Sequence, residues 1–358
     1  MRSLLRLLLE WGYRLTGRPA FRARYDIARF LSRNKVSHPE CQLAFVLPPK
    51  IASGWILDAI CGEIDRFWDG TSGTTHAYEF PLPIAEAYFF SHYDYFRSAL
   101  QGGEPRQGKS LVFFTHPKDL GISQEELRFV LNQSRCVVSM CGQSSEWLIK
   151  LGVSPQKIEI ATIGADPDFF PPHKRSDGAI GLCTAFYDRK KPERILELVK
   201  ALPERRFILL GRNWEKWERF EELREQKNFK YEERPYSEYP LFYAEIDVFV
   251  SVSKLEGGPV PLVEAMMSNV VPVASRTGIG PDIIEHGMNG FLFDVDAPIA
   301  TIVDLIERAY EIPSDIRKSV EHLTWERFSK QIQTIASLNK SEGNSDSHIR
   351  LERELGSK

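Results

Sequence analysis

Short apolar runs alternate with amphipathic stretches along most of this chain, and this alternation constrains the fold more than any other feature. The runs typical of buried strands are 41–47, 88–92, 111–115, 136–140, 158–162, 179–184, 207–210, 248–252 and 271–274. Helical patterns separate most of them, at 55–67, 125–133, 144–151, 193–202, 214–226, 259–268 and 298–310. Strands that alternate with helices predict α/β units with parallel, doubly wound sheets.

The length of the chain favours two domains. At 358 residues it exceeds the size at which one hydrophobic core usually stops growing. The polar, turn-rich segment 164–178 has the composition of an interdomain linker, and the alternation restarts after it. We therefore predict a first Rossmann-like domain over 36–165 and a second over 166–322, facing each other across a cleft. A helix at 323–339 is predicted to pack back toward the first domain, and the charged tail 340–358 is predicted to be disordered.

Composition predicts a cytoplasmic protein. The five cysteines are odd in number and lack CxxC spacing, which argues against disulfides or a structural zinc site. Residues 1–35 carry nine Lys or Arg against two acidic residues. Leucines and Trp11 among these cations are typical of an amphipathic helix on an anionic membrane surface, although a helix packed on the protein fits equally well. A secretory signal peptide is disfavoured because Glu10 and Arg14 interrupt its short apolar core.

One segment carries most of the chemical information. In it a strand ends, the glycine turn Glu256-Gly257-Gly258 follows, and the helix predicted at 259–268 begins with Pro259-Val260. Backbone N–H groups at a helix start attract phosphate, and glycines allow a ligand to approach closely. Glu256 and Glu264, in the turn and in the helix, could accept hydrogen bonds from hydroxyl groups of one ligand. The alternative is a solvated cap and an exposed helix residue.

This segment resembles the Glu-x7-Glu signature of the retaining, two-domain glycosyltransferases of the GT-B fold, the family usually numbered four. The resemblance implies that Glu256 faces the donor sugar and Glu264 the ribose of a nucleotide. It extends over roughly residues 110–335. It implies that Gly278 forms a turn near the donor diphosphate, and that Lys191 steadies the diphosphate as it leaves.

The chain departs from the family pattern at four places. At two of them, Asn269 for a usual glycine and Asp282 for a usual glutamate, the polarity of a turn or helix start is preserved. Gly258-Pro259 replaces the usual aromatic-glycine pair, which leaves the identity of the sugar open. Phe186 stands where the family has an arginine, so Arg189 or Lys190 is expected to help Lys191 neutralise the diphosphate.

Residues of the first domain complete the predicted site. His116 follows an apolar run, at a strand end that faces the cleft in such sheets, and the family often carries a histidine there. A lone histidine is also commonly structural. The loop with Lys50, Ser53 and Gly54 resembles the family's first-domain loop near the diphosphate and the acceptor, and its Ser-Gly before a helix offers N–H donors.

These observations together predict a metal-independent glycosyltransferase with no cofactor. Its donor would be a nucleotide-sugar of the UDP or GDP type, and its acceptor a saccharide or a lipid-linked saccharide. The aspartates of Asp166-Pro167-Asp168 and Asp294-Val295-Asp296 lie in turns where aspartate is common, so no metal is expected. Gly-x-Gly-x-x-Gly follows no predicted strand, which argues against a dehydrogenase, and no basic residues interleave with the aromatic stretch 78–96, which argues against nucleic-acid binding. The alternative is a non-catalytic nucleotide-sugar-binding protein of the same fold.

Overall fold

The computed structural model describes residues 40–50, 56–79, 81–102, 107–117, 122–313 and 315–337. The predictions for the basic leader, for Ser53 and Gly54, and for the charged tail fall outside these residues.

Twelve described strands form two six-stranded sheets in which every pair is parallel. The first sheet has the order β2-β1-β3-β4-β5-β6 and the second the order β12-β11-β10-β7-β8-β9. The strands are β1 Cys41–Leu47, β2 Ser72–His76, β3 Ala85–Phe90, β4 Ser110–Phe114, β5 Cys136–Ser139, β6 Ile158–Ile160, β7 Ala179–Cys183, β8 Phe207–Leu210, β9 Phe229–Glu232, β10 Ile246–Ser251, β11 Val271–Ser275 and β12 Phe291–Phe293.

Helices connect most consecutive strands of both sheets, since parallel strands need crossover connections. In the described residues they are α1 Ile56–Arg66, α2 Tyr93–Gln101, α3 Gln124–Gln133, α4 Gly142–Leu151, α5 Pro192–Ala201, α6 Phe220–Arg224, α7 Tyr239–Ala244, α8 Val260–Met267, α9 Gly280–Ile283, α10 Ile299–Tyr310 and α11 Trp325–Ser337. We call β1–β6 with α1–α4 the first unit, and β7–β12 with α5–α10 the second unit. The predicted α/β class with two Rossmann-like, doubly wound units is confirmed.

Burial of the strands within the two sheets explains why apolar runs in the sequence predicted their positions. All residues of β4, β5, β8, β11 and β12 are buried, because helices cover both faces of a parallel sheet. Such strands are continuously apolar rather than alternating. The edge strands β2 and β9 have only one neighbour each and are mostly half-buried. Neither was predicted from the sequence.

The single helix predicted at 214–226 is wrong. The structure has a 3₁₀ turn at Trp214–Lys216, an extended Trp217 and then the short α6. Trp214 is fully buried and its indole Nε1 donates to the Thr184 carbonyl over 2.8 Å. Burying this large ring takes precedence over the helical pattern of its neighbours.

The last helix crosses from the second unit to the first. Ala165 donates its N–H to the Leu323 carbonyl, where the chain that leaves the first unit runs beside the chain that returns to it. Helix α11 then packs on α1, and the Ser329 hydroxyl donates to the Ile64 carbonyl over 2.7 Å. Phe328 meets Phe113 edge to face at 6.3 Å between ring centroids. The first unit therefore has its surface completed by the C-terminal part of the described chain.

None of the helices in the described ranges is long and apolar enough to span a bilayer.

Candidate functional site

The carboxyl ends of the two sheets meet at the turn after β10. A Cβ built on Gly257 would lie 1.7 Å from the Thr115 carbonyl oxygen, just beyond the end of β4. A Cβ on Gly258 would lie 2.6 Å from the Met140 methyl group, just beyond β5. Only glycine permits the first of these approaches, since its obstacle is backbone. The turn 256–258 therefore sits at the crevice where open parallel sheets bind ligands.

Glu256 is held by two cations from the start of the second unit. Its carboxylate accepts from Arg189 Nη1 over 3.0 Å and forms an ion pair with Lys190 Nζ. Arg189 also donates to the Leu255 carbonyl over 2.8 Å. Because 189 and 190 follow β7 while 255 and 256 follow β10, these contacts join neighbouring strand ends of one sheet.

Burial and the neighbouring cations shift the pKa of Glu256 in opposite directions. Glu256 is 6% exposed, and burial alone would raise its pKa, but Lys190 and Arg189 outweigh burial and lower the pKa to about 2. Burial lowers the pKa of Lys190, and Glu256 partly offsets this. The cluster therefore contains an ionised carboxylate with two cations at the mouth of the crevice.

Gly278 packs against the backbone of the turn 256–258. Its φ is +64°, and a Cβ there would lie 2.4 Å from the Gly257 carbonyl oxygen. The Thr277 hydroxyl accepts from the Glu256 N–H over 3.0 Å. Gly278 is thus glycine for two reasons, its left-handed backbone and its contact with the turn.

The start of α8 has fewer backbone N–H donors than a helix start without proline would have. Pro259 precedes the helix and Pro261 is its second residue, and neither has a backbone N–H. In the stretch 257–261, the N–H donors are those of Gly257, Gly258 and Val260. Any anion at this turn therefore depends on those three groups and on side-chain cations.

Glu264 lies in α8 and is 1% exposed. Its Oε1 accepts from the Tyr236 hydroxyl and its Oε2 from the Tyr243 hydroxyl, each over 2.7 Å. Burial raises its pKa to about 7, although both hydroxyl groups act in the opposite direction. Glu256 and Glu264 therefore have different environments, one ionic and one phenolic.

The other predicted residues lie at varied positions. Lys191 precedes α5 with a φ of +53°, and its side chain has no hydrogen bond or ion pair within the described ranges. His116 follows Thr115, which contacts the Gly257 turn, and its Nδ1 lies 3.0 Å from the Thr115 hydroxyl. Lys50 pairs with Glu79 over 2.8 Å, inside the first unit. The structure thus places Lys191 and the turn after neighbouring strands of the second sheet, and His116 after the end of β4 that contacts the turn. Lys50 instead has an ion pair with Glu79 of the first unit.

Three hydrogen bonds between the units close the crevice beside this turn. The Gly142 N–H, in the first turn of α4, donates to Asp282 Oδ2 over 2.8 Å. Gln143 Oε1 accepts from the Gly278 N–H over 2.7 Å, and its Nε2 donates to the Arg276 carbonyl over 3.3 Å. We call Gly142, Gln143, Arg276, Gly278 and Asp282 the clasp.

Sequence reasoning missed the clasp and the two tyrosines. Asp282 lies 140 residues from Gly142, and Tyr236 lies 28 residues from Glu264. No local sequence pattern indicates that the two members of either pair are in contact. Gly278 and Asp282 were singled out in the sequence, but neither was predicted to contact the first unit.

Within the described part of the chain, no three His, Cys, Asp or Glu side chains come close enough to hold a metal ion. The expectation of a metal-independent protein remains a prediction.

Comparisons with known proteins agree with this architecture. The family model "Glycosyl transferases group 1" matches residues 170–323, which include Glu256, Glu264 and Lys191. Sucrose synthase of Acidithiobacillus caldus is 34% identical over 102 residues, which are 25% of this chain and 13% of that protein. The chain thus spans only a small part of this curated relative.

Solved structures match over most of the chain. HepE of Anabaena in complex with UDP covers 83% of this chain and 100% of its own, with a TM-score of 0.65 and 16% identity. A glycosyltransferase of Rickettsia africae covers 85% and 100%, with a TM-score of 0.64 and 14% identity. The chain therefore has the GT-B fold, and its second unit matches the group 1 glycosyl transferases.

Proposed function

We propose that this protein is a glycosyltransferase that moves a sugar from a nucleoside-diphosphate sugar to an acceptor with retention of anomeric configuration. The observation that carries the proposal is the Glu256 cluster, a buried carboxylate with two cations on a glycine turn between facing strand ends. The family match over 170–323 supports the same class. HepE, whose fold is similar, was crystallised with UDP and with UDP-glucose.

In the proposed reaction, the bond from the anomeric carbon to the diphosphate oxygen breaks and a bond to the acceptor hydroxyl oxygen forms on the same face of the sugar. The acceptor proton passes to the departing phosphate oxygen, so no protein nucleophile is required. Lys191 would stabilise the charge on the leaving diphosphate, since its ammonium has no partner in the described chain. Closure of the crevice would exclude water, which would otherwise compete with the acceptor.

Glu256 would hold the donor sugar, and His116 would lie near the sugar across the crevice. Because Arg189 and Lys190 already pair with Glu256, their proposed role is to fix that carboxylate and to add positive potential toward the diphosphate. Phe186, where the family has an arginine, packs against Trp214 at 5.8 Å and contributes no charge. Lys191 is therefore the principal cation of the proposed mechanism.

The acceptor is proposed to be a saccharide, free or lipid-linked, bound by the first unit. No catalytic metal or cofactor is part of the proposal. A cytoplasmic location, with the basic leader 1–35 resting on a membrane surface, belongs to the same proposal.

The alternative is a nucleotide-sugar-binding protein without turnover. Two observations favour it: the missing arginine at Phe186, and Gly258-Pro259 in place of the family's usual aromatic-glycine pair. Binding would then occur without release of nucleoside diphosphate.

Thermal stabilisation by a panel of nucleoside diphosphates and nucleotide-sugars, followed by a transfer assay, distinguishes the transferase from the non-catalytic binding protein. A ligand that binds only the folded protein raises its melting temperature, so we expect selective stabilisation by UDP or GDP compounds. The stabilising sugar donor is then incubated with saccharide acceptors, and the product's anomeric configuration is read by NMR. Lys191→Ala should abolish transfer, while Lys200→Ala, at the other end of α5, should not. Binding without any product would favour the alternative, and no stabilisation at millimolar concentration would reject both.

A further inference from the structure

The two oxygens of Glu264 are held by tyrosines that differ in their surroundings. Tyr243 is fully buried on α7 and packs edge to face on Phe170 at 5.5 Å. Tyr236 is 49% exposed and belongs to the 3₁₀ turn Tyr236–Glu238 between β9 and α7. Its ring stacks on Phe169 at 5.3 Å between centroids. One hydroxyl thus reaches Glu264 from the core and the other from the surface.

The difference in burial determines which of the two tyrosine hydroxyls a ligand can replace. Removing Tyr243 from Oε2 would require core side chains to move, since protein interiors are close-packed. Moving Tyr236 from Oε1 requires the rotation of one half-exposed side chain in the turn after β9, away from its stacking contact with Phe169. A buried carboxylate oxygen must keep a donor, so whatever displaces Tyr236 must itself bring a hydrogen-bond donor, as a ribose hydroxyl does.

We propose that Tyr243 is a positioning residue that fixes Glu264 through Oε2, and that Tyr236 holds Oε1 only until a ribose hydroxyl of the donor nucleotide replaces it. The inference rests on the proposed function for the nature of the ligand. It adds that, in the free protein, the Tyr236 hydroxyl competes with the nucleotide for Glu264 Oε1.

The test measures binding of two probes by isothermal titration calorimetry: UDP and 2′,3′-dideoxyuridine diphosphate, or the GDP pair if GDP is the nucleotide that stabilises the protein. The variants are Tyr236→Phe and Tyr243→Phe. Tyr239→Phe is the control, because its ring adjoins Tyr236 at 5.0 Å while its hydroxyl has no hydrogen bond in the described chain.

Tyr236→Phe removes the competing hydroxyl, so it should bind UDP roughly three- to tenfold more tightly and the dideoxy nucleotide with unchanged affinity. Tyr243→Phe should weaken UDP binding and reduce the preference for UDP over the dideoxy probe. A folding defect alone would weaken both probes equally, so the ratio separates positioning from general damage.

Equal or weaker UDP binding by Tyr236→Phe, in a protein whose wild type binds UDP, overturns the inference and leaves the proposed function standing. Failure of every variant and the wild type to bind any nucleotide overturns the proposed function itself. A gain in affinity for both probes alike would also refute the inference, because ribose would then play no part.

Discussion

Replacing Gly257 by alanine should force the two units apart at the crevice. The added Cβ would lie 1.7 Å from the Thr115 carbonyl oxygen, and the next two obstacles are also backbone atoms of Thr115. Ordinary carbon-to-oxygen contacts are about 3.3–3.6 Å, so the facing backbones must separate by roughly 1.6–1.9 Å. No side-chain rotation can relieve this overlap.

The expected loss can be estimated from that displacement. A misplacement of about 1 Å in an active site can reduce the rate about a hundredfold. We therefore expect kcat/KM for sugar transfer to fall by about two orders of magnitude, which is about 2.7 kcal/mol of transition-state stabilisation. Overpacking should also lower the free energy of unfolding by about 1–3 kcal/mol. Nucleoside-diphosphate affinity should also fall, because the Gly257 N–H is one of the three backbone donors that the turn offers to an anion.

Gly280→Ala is the matched control. It lies in the same unit near the clasp, but its added Cβ would meet Leu292 at 3.5 Å, an ordinary contact. Transfer rate and urea unfolding are measured for both variants and the wild type. If Gly257→Ala matched the wild type in both measurements, the close approach of the units at Thr115 would be refuted.

Three further substitutions test other parts of the structure. The pKa of Glu264 is raised to about 7, so its contribution to stability is complete below its unfolded value of about 4.3 and is lost as the pH rises through 7. Glu264→Gln should abolish the resulting decline of about 4 kcal/mol in the free energy of urea unfolding between these pH values, and an unchanged pH slope would contradict the assignment. Asp282→Ala removes the acceptor for the Gly142 amide, whose hydrogen-exchange protection should fall roughly tenfold or more; undiminished protection would mean that the clasp is absent in solution. Asp247 is buried and accepts from the Gly178 N–H over 2.7 Å, so Asp247→Asn should cost about 1–3 kcal/mol in urea unfolding at pH 7, and an unshifted midpoint would refute its structural role.

The fold could be predicted from the sequence where burial acts on both faces of a strand. Strands such as β4 and β11 are buried throughout and therefore continuously apolar. The edge strand β2 reads Ser-Gly-Thr-Thr-His, and its pairing with β1 is set by tertiary contacts that no local pattern encodes. The helix predicted at 214–226 failed because the burial of Trp214 decided the backbone there.

The site was predictable only where it is contiguous. The glycine turn and its two glutamates lie within nine residues, and their positions relative to β10 and α8 agree with the expected strand, turn and helix. The partners of those carboxylates come from other strand ends. Lys190 and Tyr243 are 66 and 21 residues away from the glutamates that they contact, so chain topology rather than local sequence pairs them.

The crossing of α11 onto the first unit has a practical consequence for dissecting the protein. A fragment that stops after β6 would lack the helix that covers α1, including Phe328 against Phe113 and the Ser329 hydroxyl on Ile64. It would expose an apolar face to water and would tend to aggregate. The two units therefore cannot be separated by one cut in the chain. An isolated first unit would need residues 325–337 joined to it, whereas residues 170–323 form one continuous segment.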